Sequence, residues 1–171
     1  GPVAPEKPAD PIIVHPDVRR MLLSAKSFAE GGRMLVYYLA QLNDTITRNS
    51  DSDDAKDAEV LLSLLTPIAK AFMTETGVES ANLGMQCFGG HGYIREYGME
   101  QIVRDARIST IYEGTTGIQA LDLLGRKVLM TQGASLKLFT KKIHLFCQAE
   151  IENEAMAEFI NPLAVANKEW G

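Results

Sequence analysis

From Pro16 onward, apolar or small residues recur at helical steps: Val18, Leu22, Ala25, Ala29, Gly32, Val36, Leu39 and Ile46. That stripe predicts one long amphipathic helix ending near Arg48, with Pro16 suited to its first turn. Gly31-Gly32 inside it costs about 1 kcal/mol per glycine against alanine, which points to a close helix neighbour. The polar run RNSDSDDAKD predicts a solvated turn. A second helix comes next, with Leu61, Leu64, Ile68 and Phe72 on one face. Pro67 in its middle predicts a kink, or a new start capped by Thr66. Helical character resumes from Ala69 to about Phe88 and meets GGHGY; MEQIVRDARI then predicts a short helix.

In the stretch STIYEGTTGIQALDLLGRK, residues through Ile111-Tyr112 read as extended, and the residues beyond the motif read as helical. Ile118, Leu121, Leu124 and Val128 recur at helical steps, and Gly133 separates them from a helix carrying Leu136, Phe139, Ile143 and Phe146. The tail from Ile151 is mixed, with weak helical character. Convincing strand alternation is found nowhere, so the fold class is all-α: an antiparallel helical bundle with further helices at its end. The expected divisions are an extended arm over 1–15, a bundle over 16–132 and the start of a helical extension over 133–171.

The arm rests on composition, since five of the seven prolines fall in the first sixteen residues. Gly1-Pro2, with no initiating Met, reads as the scar of a cleaved tag, so a piece of a longer polypeptide is expected. At 171 residues, 46% hydrophobic and 23% charged, the chain can bury a real core without staples. A net charge of −5 argues against a nucleic-acid or anionic-membrane footprint. No apolar run approaches the roughly 20 residues of a membrane span. Two cysteines, Cys87 and Cys147, and three scattered histidines form neither a disulfide framework nor a metal cluster, and a reducing compartment fits. Cys87, near Met85 and beside Phe88, reads as a small buried hydrophobe.

Two stretches could carry chemistry. In MQCFGGHGY, glycines at the end of a helix can supply positive φ and open backbone N–H groups to an anion. They equally make a helix stop followed by a turn. In IYEGTTG, Thr115 or Thr116 is a natural cap for a helix starting near Gly117, and such an end suits a polar or anionic ligand. Glu113 lies just outside it. A carboxylate held against apolar groups resists ionisation, which suits a proton-abstracting base, whereas most loop carboxylates are simply solvated. Arg104 and Asp105 on the short helix could hold neighbouring backbone.

Taken together, MQCFGGHGYIREYGMEQIVRDARISTIYEGTTGIQALDLLGRKVL resembles the C-terminal helical domain of the acyl-CoA dehydrogenases, and the likeness thins back to HPDVRRML. The glycine pair, RDARI and IYEGT in one order and spacing carry it, and GIQALDLLGRK is similar to longer bacterial members with a C-terminal extension. The resemblance implies that Glu113 is the base removing the α-proton of an acyl-CoA thioester. The β-hydrogen then leaves as hydride to N5 of FAD, giving a trans-2-enoyl-CoA. It implies a thioester carbonyl polarised by an amide N–H at the glutamate and by a flavin hydroxyl.

By the same resemblance, Gly114 lies beside substrate, and Thr115, Thr116 and Gly117 touch the flavin. Gln86, Gly89 and Gly90 approach the FAD pyrophosphate, typically of a neighbouring subunit; His91 takes no role, and no metal is implied. Some subfamilies place the base on another helix; Glu113 puts this chain with the majority.

The family's members are longer, with an N-terminal helical domain and a β-domain that hold much of the flavin and substrate. The expectation is therefore an excised catalytic domain that alone neither holds FAD tightly nor turns over. The resemblance further implies a bacterial cytoplasmic enzyme, a homo-oligomer (dimer or tetramer) and an electron-transfer flavoprotein as acceptor. Medium or long straight acyl chains come first, with branched, aromatic and sulfur-containing groups left open. The alternative is a non-catalytic helical oligomerisation or interaction module.

Overall fold

A computed structural model describes residues 1–48 and 51–170. Asn49 and Ser50 of the predicted polar turn, and Gly171, lie outside the described residues. Pro16 opens α1 (Pro16–Arg48), and α2 (Asp53–Phe88) runs unbroken through Pro67. Thr66 is not a cap: its hydroxyl donates to Leu62 O at 2.6 Å, the back-bond of a threonine inside a helix. Pro67 cannot donate to the carbonyl one turn earlier, but its ring is almost wholly buried, and packing carries the helix past it.

After α2 come α3 (Gly90–Tyr93), a single 3₁₀ turn at Arg95–Tyr97 and α4 (Met99–Ile108). Next is α5 (Thr116–Leu121), which widens into a π-helical stretch at Asp122–Leu129. The last two helices are α6 (Ala134–Ala149) and α7 (Ala157–Trp170). Among the described residues there is no strand, and no helix is long and apolar enough to cross a membrane.

The chain divides into two compact units, Gly1–Tyr37 with Ala69–Gln119 and Tyr38–Ile68 with Ala120–Gly171. In the first, α1 and α2 pack antiparallel. Phe28 meets Phe72 edge-on with ring centroids 6.5 Å apart, and Gly32 faces Met73. Met21, Ala69 and Ala81 are buried. At the far end of α2, Met99 of α4 leans on Gly84, and His91, Tyr97 and Phe88 form a chain of edge-on rings. The proline-rich start folds back on itself: Asp10 Oδ1 accepts the N–H groups of Val3 and Ala4 at 3.1 and 2.7 Å.

In the second unit, Leu42, Ala58, Leu61 and Leu65 form the core, flanked by Leu39, Ile46, Leu138 and Phe139. Here α6 joins the α1–α2 pair, and Asn167 of α7 donates to Thr140 O of α6 at 3.0 Å. The π-helical stretch shows in a backbone bond five residues long, Met130 N–H to Gly125 O, and it closes over left-handed Gln132 and Gly133, with Gly133 N–H on Val128 O. Lys127 within it donates to Ser63 Oγ at 2.9 Å. The predicted apolar stripe is not a buried one: Ile118, Leu121 and Leu124 are all more than half exposed.

Two glycines in the first unit face opposite surroundings. A Cβ added at Gly31 meets nothing within 4 Å, whereas one at Gly92 lies 2.5 Å from the Met85 carbonyl oxygen. The same substitution therefore has opposite signs. Gly31→Ala is expected to raise the unfolding free energy by about 0.5–1 kcal/mol, through helix propensity and a less flexible unfolded chain. Gly92→Ala is expected to lower it by about 1–3 kcal/mol, because backbone must move. Urea titrations of the two variants check this, and shifts of the same sign would contradict the packing described around them.

Candidate active site

The segment between α4 and α5 must reverse the chain in a few residues. It does so by a tight turn, not the extended run expected for Ile111-Tyr112: both N–H groups reach back to Ile108 O, at 3.0 and 3.2 Å. Ser109 Oγ donates to Ala106 O, and Arg107, rather than Arg104, reaches the hydroxyl of buried Thr110. Asp105 instead takes the side-chain amide of Gln101.

The turn ends in two successive left-handed residues, Glu113 at φ 55° and Gly114 at φ 94°. Glycine adopts that conformation freely, but for glutamate it costs about 1 kcal/mol or more.

Side chains from α2 and α5 hold this strained joint. Lys70 Nζ donates to Ser109 O at 3.0 Å and to Gly114 O at 2.6 Å, taking the carbonyls at both ends of the turn. Gln119 Nε2 donates to Glu113 O at 3.1 Å and to Gly114 O at 3.3 Å. A Cβ at Gly114 would lie 2.8 Å from that amide nitrogen and displace it, and the φ of 94° itself calls for glycine. Thr115 O accepts Gln119 N–H at 2.9 Å and so begins α5. The Thr116 hydroxyl caps nothing; it donates to Glu75 Oε1 of α2 at 2.6 Å.

With its backbone held, Glu113 presents its carboxylate outward. The residue is exposed, and among the described residues no hydrogen bond or ion pair takes its side chain. Among the described residues, the apolar enclosure expected for a base is therefore absent around Glu113. Ile111 and Tyr112 beside it are themselves 51% and 52% exposed.

The second motif lies at the C-terminal end of α2. Gln86 lines an open groove with Asp17, Arg20, Glu75, Glu79 and Asn82. Glu75 thus borders the groove of Gln86 and also binds Thr116, bringing those two predicted positions toward one side of α2. Gly89 stops the helix at φ 59°, ψ −144°, a conformation almost confined to glycine. No atom stands within 4 Å of where a Cβ would be at Gly89 or Gly90. Cys87 is half-buried, not fully enclosed.

These groups suit part of a flavin nucleotide. Gln86, the open backbone at Gly89 and Gly90, and exposed Thr115 offer uncharged contacts at two stretches. They do not supply charge for a pyrophosphate: Asp17, Glu75 and Glu79 line the groove, and Arg20 is paired with Asp17 at 2.9 Å. Nothing in the sequence pattern singles out Lys70, Glu75 or Gln119. Lys70 lies 44 residues from the carbonyl that it binds at Gly114, and no local pattern signals such a pair.

Comparison with known proteins agrees with the motifs. The family profile "Acyl-CoA dehydrogenase, C-terminal domain" matches residues 5–129. The 3-methylmercaptopropionyl-CoA dehydrogenase of Ruegeria pomeroyi is 47% identical over 135 residues, 79% of this chain and 23% of that protein. The broad-specificity linear acyl-CoA dehydrogenase FadE5 of Mycobacterium tuberculosis is 36% identical over 81% of this chain and 23% of that protein. A butyryl-CoA dehydrogenase of Syntrophomonas wolfei is 33% identical over 91% of this chain and 25% of its own length. The chain thus spans about a quarter of the length of these curated relatives. Among solved structures, the apo form of Bd2924 shares the fold, with a TM-score of 0.68 at 22% identity over 90% of this chain and 31% of that one. With its profile match, its motifs and its all-helical architecture, the chain belongs to the acyl-CoA dehydrogenase family and corresponds to its C-terminal domain.

Proposed function

We propose that this chain is the base-bearing domain of an FAD-dependent acyl-CoA dehydrogenase and that Glu113 is the base. The observation that carries the reading is the held joint: Glu113 sits at φ 55° with its own carbonyl and the next one bonded, while its carboxylate is free among the described residues. An acid so placed can meet the α-carbon of a bound acyl thioester and take its proton. No acceptor takes the Glu113 amide N–H among the described residues, which leaves it available to polarise the thioester carbonyl. FAD, when bound, supplies the two-electron acceptor for the β-hydrogen leaving as hydride. The proton on Glu113, the hydride and the new Cα–Cβ double bond balance the conversion to a trans-2-enoyl-CoA.

Gly114 stands beside the substrate in this reading, and Gln86, Gly89, Gly90, Thr115, Thr116 and Gly117 contribute part of the flavin contacts. Exposed apolar flanks at Glu113 and a carboxylate-lined groove at Gln86 support a site completed by other parts of a longer polypeptide or by a second copy. The substrate class is a saturated acyl-CoA, in keeping with the acyl-CoA dehydrogenases among the relatives. The family profile ends at residue 129, before α6, which supports assigning 133–171 to the start of a C-terminal extension. An electron-transfer flavoprotein as acceptor, a homo-oligomeric state and a bacterial cytoplasmic setting complete the proposal.

A second reading, a non-catalytic assembly module, draws on exposed Ile111, Tyr112 and Ile118 around the motif. The strained and unpartnered glutamate favours the first, since an assembly module gains nothing from holding an acid there.

Glu113→Gln keeps the shape and removes the base. In the complete flavoenzyme, flavin reduction by acyl-CoA is expected to fall by roughly 100- to 10,000-fold with flavin content unchanged. Reduction near the parental rate, measured by stopped flow, would remove Glu113 from the role of base. A fluorescence titration of FAD with the 171-residue chain is expected to show no tight binding. Stoichiometric binding would overturn the picture of a divided site.

A further inference from the structure

We propose that Lys70 is the positioning residue for Glu113, acting through backbone and not through the carboxylate. Its ammonium is half-buried, and among the described residues it pairs with no acid. Instead it gives two of its three donors to Ser109 O and Gly114 O, at 3.0 and 2.6 Å.

Those carbonyls bracket the whole turn that carries Glu113. Bonds from a charged donor to neutral carbonyls are stronger than amide bonds, and partial burial strengthens them further. Lys70 stands on α2 between buried Ala69 and the Phe72 and Met73 that pack on α1, so the clamp is anchored on a packed element. Removing it leaves Gln119 alone to hold Glu113 and Gly114 left-handed. The turn can then relax to ordinary φ values, which would re-aim the Glu113 side chain. Lysine suits the task because a compact ammonium can serve two converging carbonyls, where a planar guanidinium fits poorly.

The inference about catalysis rests on Glu113 being the base; the clamp itself does not. Lys70→Met keeps the length and apolar stem of the side chain and removes its donors. Hydrogen exchange on the 171-residue chain reads the clamp directly. The Ile111 and Tyr112 amides, bonded to Ile108 O, are expected to exchange roughly 10- to 100-fold faster in Lys70→Met, with amides of α6 unchanged. In the complete flavoenzyme, the same variant is expected to slow flavin reduction roughly 10- to 100-fold while substrate affinity and flavin content stay near parental. Lys70→Arg is expected to restore part of that rate.

Unchanged exchange at Ile111 and Tyr112 would overturn the clamp. Faster exchange across every helix, or activity lost only in step with flavin loss, would make Lys70 a general structural residue and overturn the positioning role. Should Lys70→Met fail to fold, Lys70→Gln, which keeps one polar donor group, carries the same two readouts. A Glu113→Gln enzyme run in parallel separates the two ideas. If it reduces flavin at the parental rate while exchange in Lys70→Met is locally faster, the clamp stands and the base assignment falls.

Discussion

The turn around Glu113 depends on α2, because Lys70 and Glu75 both stand on that helix. Its interior proline removes one backbone hydrogen bond and would end an isolated helix. Burial outweighs the loss. Leu61, Leu64 and Leu65 before Pro67, and Ala69 and Ala81 after it, are buried, and each leucine contributes about 1.5–3 kcal/mol at most. Beyond Pro67 the same helix carries Lys70 and Glu75, and its regular turn lets Lys70 reach the carbonyls of Ser109 and Gly114 while Glu75 takes the Thr116 hydroxyl.

The site combines strain with restraint. A left-handed glutamate is costly, and a chain free to choose would leave that conformation. Here the bonds from Lys70 and Gln119 exist only while the turn keeps its shape, so they offset the cost by an amount comparable to it. The Thr116 hydroxyl on Glu75 fixes the start of α5 against α2 in the same way. The backbone is thus settled before any ligand arrives, while the carboxylate is left to solvent. Preorganised backbone with an uncommitted acid is what a proton-abstracting site requires of the protein.

The incompleteness of the surroundings has a physical logic too. A base needs a dry, apolar contact with its substrate, yet Ile111, Tyr112 and Ile118 are about half exposed. A pyrophosphate needs compensating charge, and the charged lining of the groove at Gln86 is three carboxylates with one arginine, itself paired with Asp17. In the proposed reading, a chain spanning about a quarter of its curated relatives would carry the acid and some uncharged contacts of a shared site.

The positions of Pro16, Phe88 and Gly133 could be read directly from the chain as helix punctuation, because capping, proline chemistry and apolar periodicity are local effects. The all-α class, the long first helices and the family motif around Glu113 come from the same local signals. Other features depended on groups far apart in the chain. Pro67 reads locally as a break, and burial keeps the helix whole. Ile111-Tyr112 reads as extended from its bulky apolar character, and the reversal into α5 bends it into a turn. Ile118, Leu121 and Leu124 recur at helical steps, but periodicity shows which residues share a helix face and not what that face meets. Lys70, Glu75 and Gln119 carry no local signature at all. A lysine facing solvent and one clamping two carbonyls look alike in a string of letters, and the difference arises when packing brings α2 beside the turn.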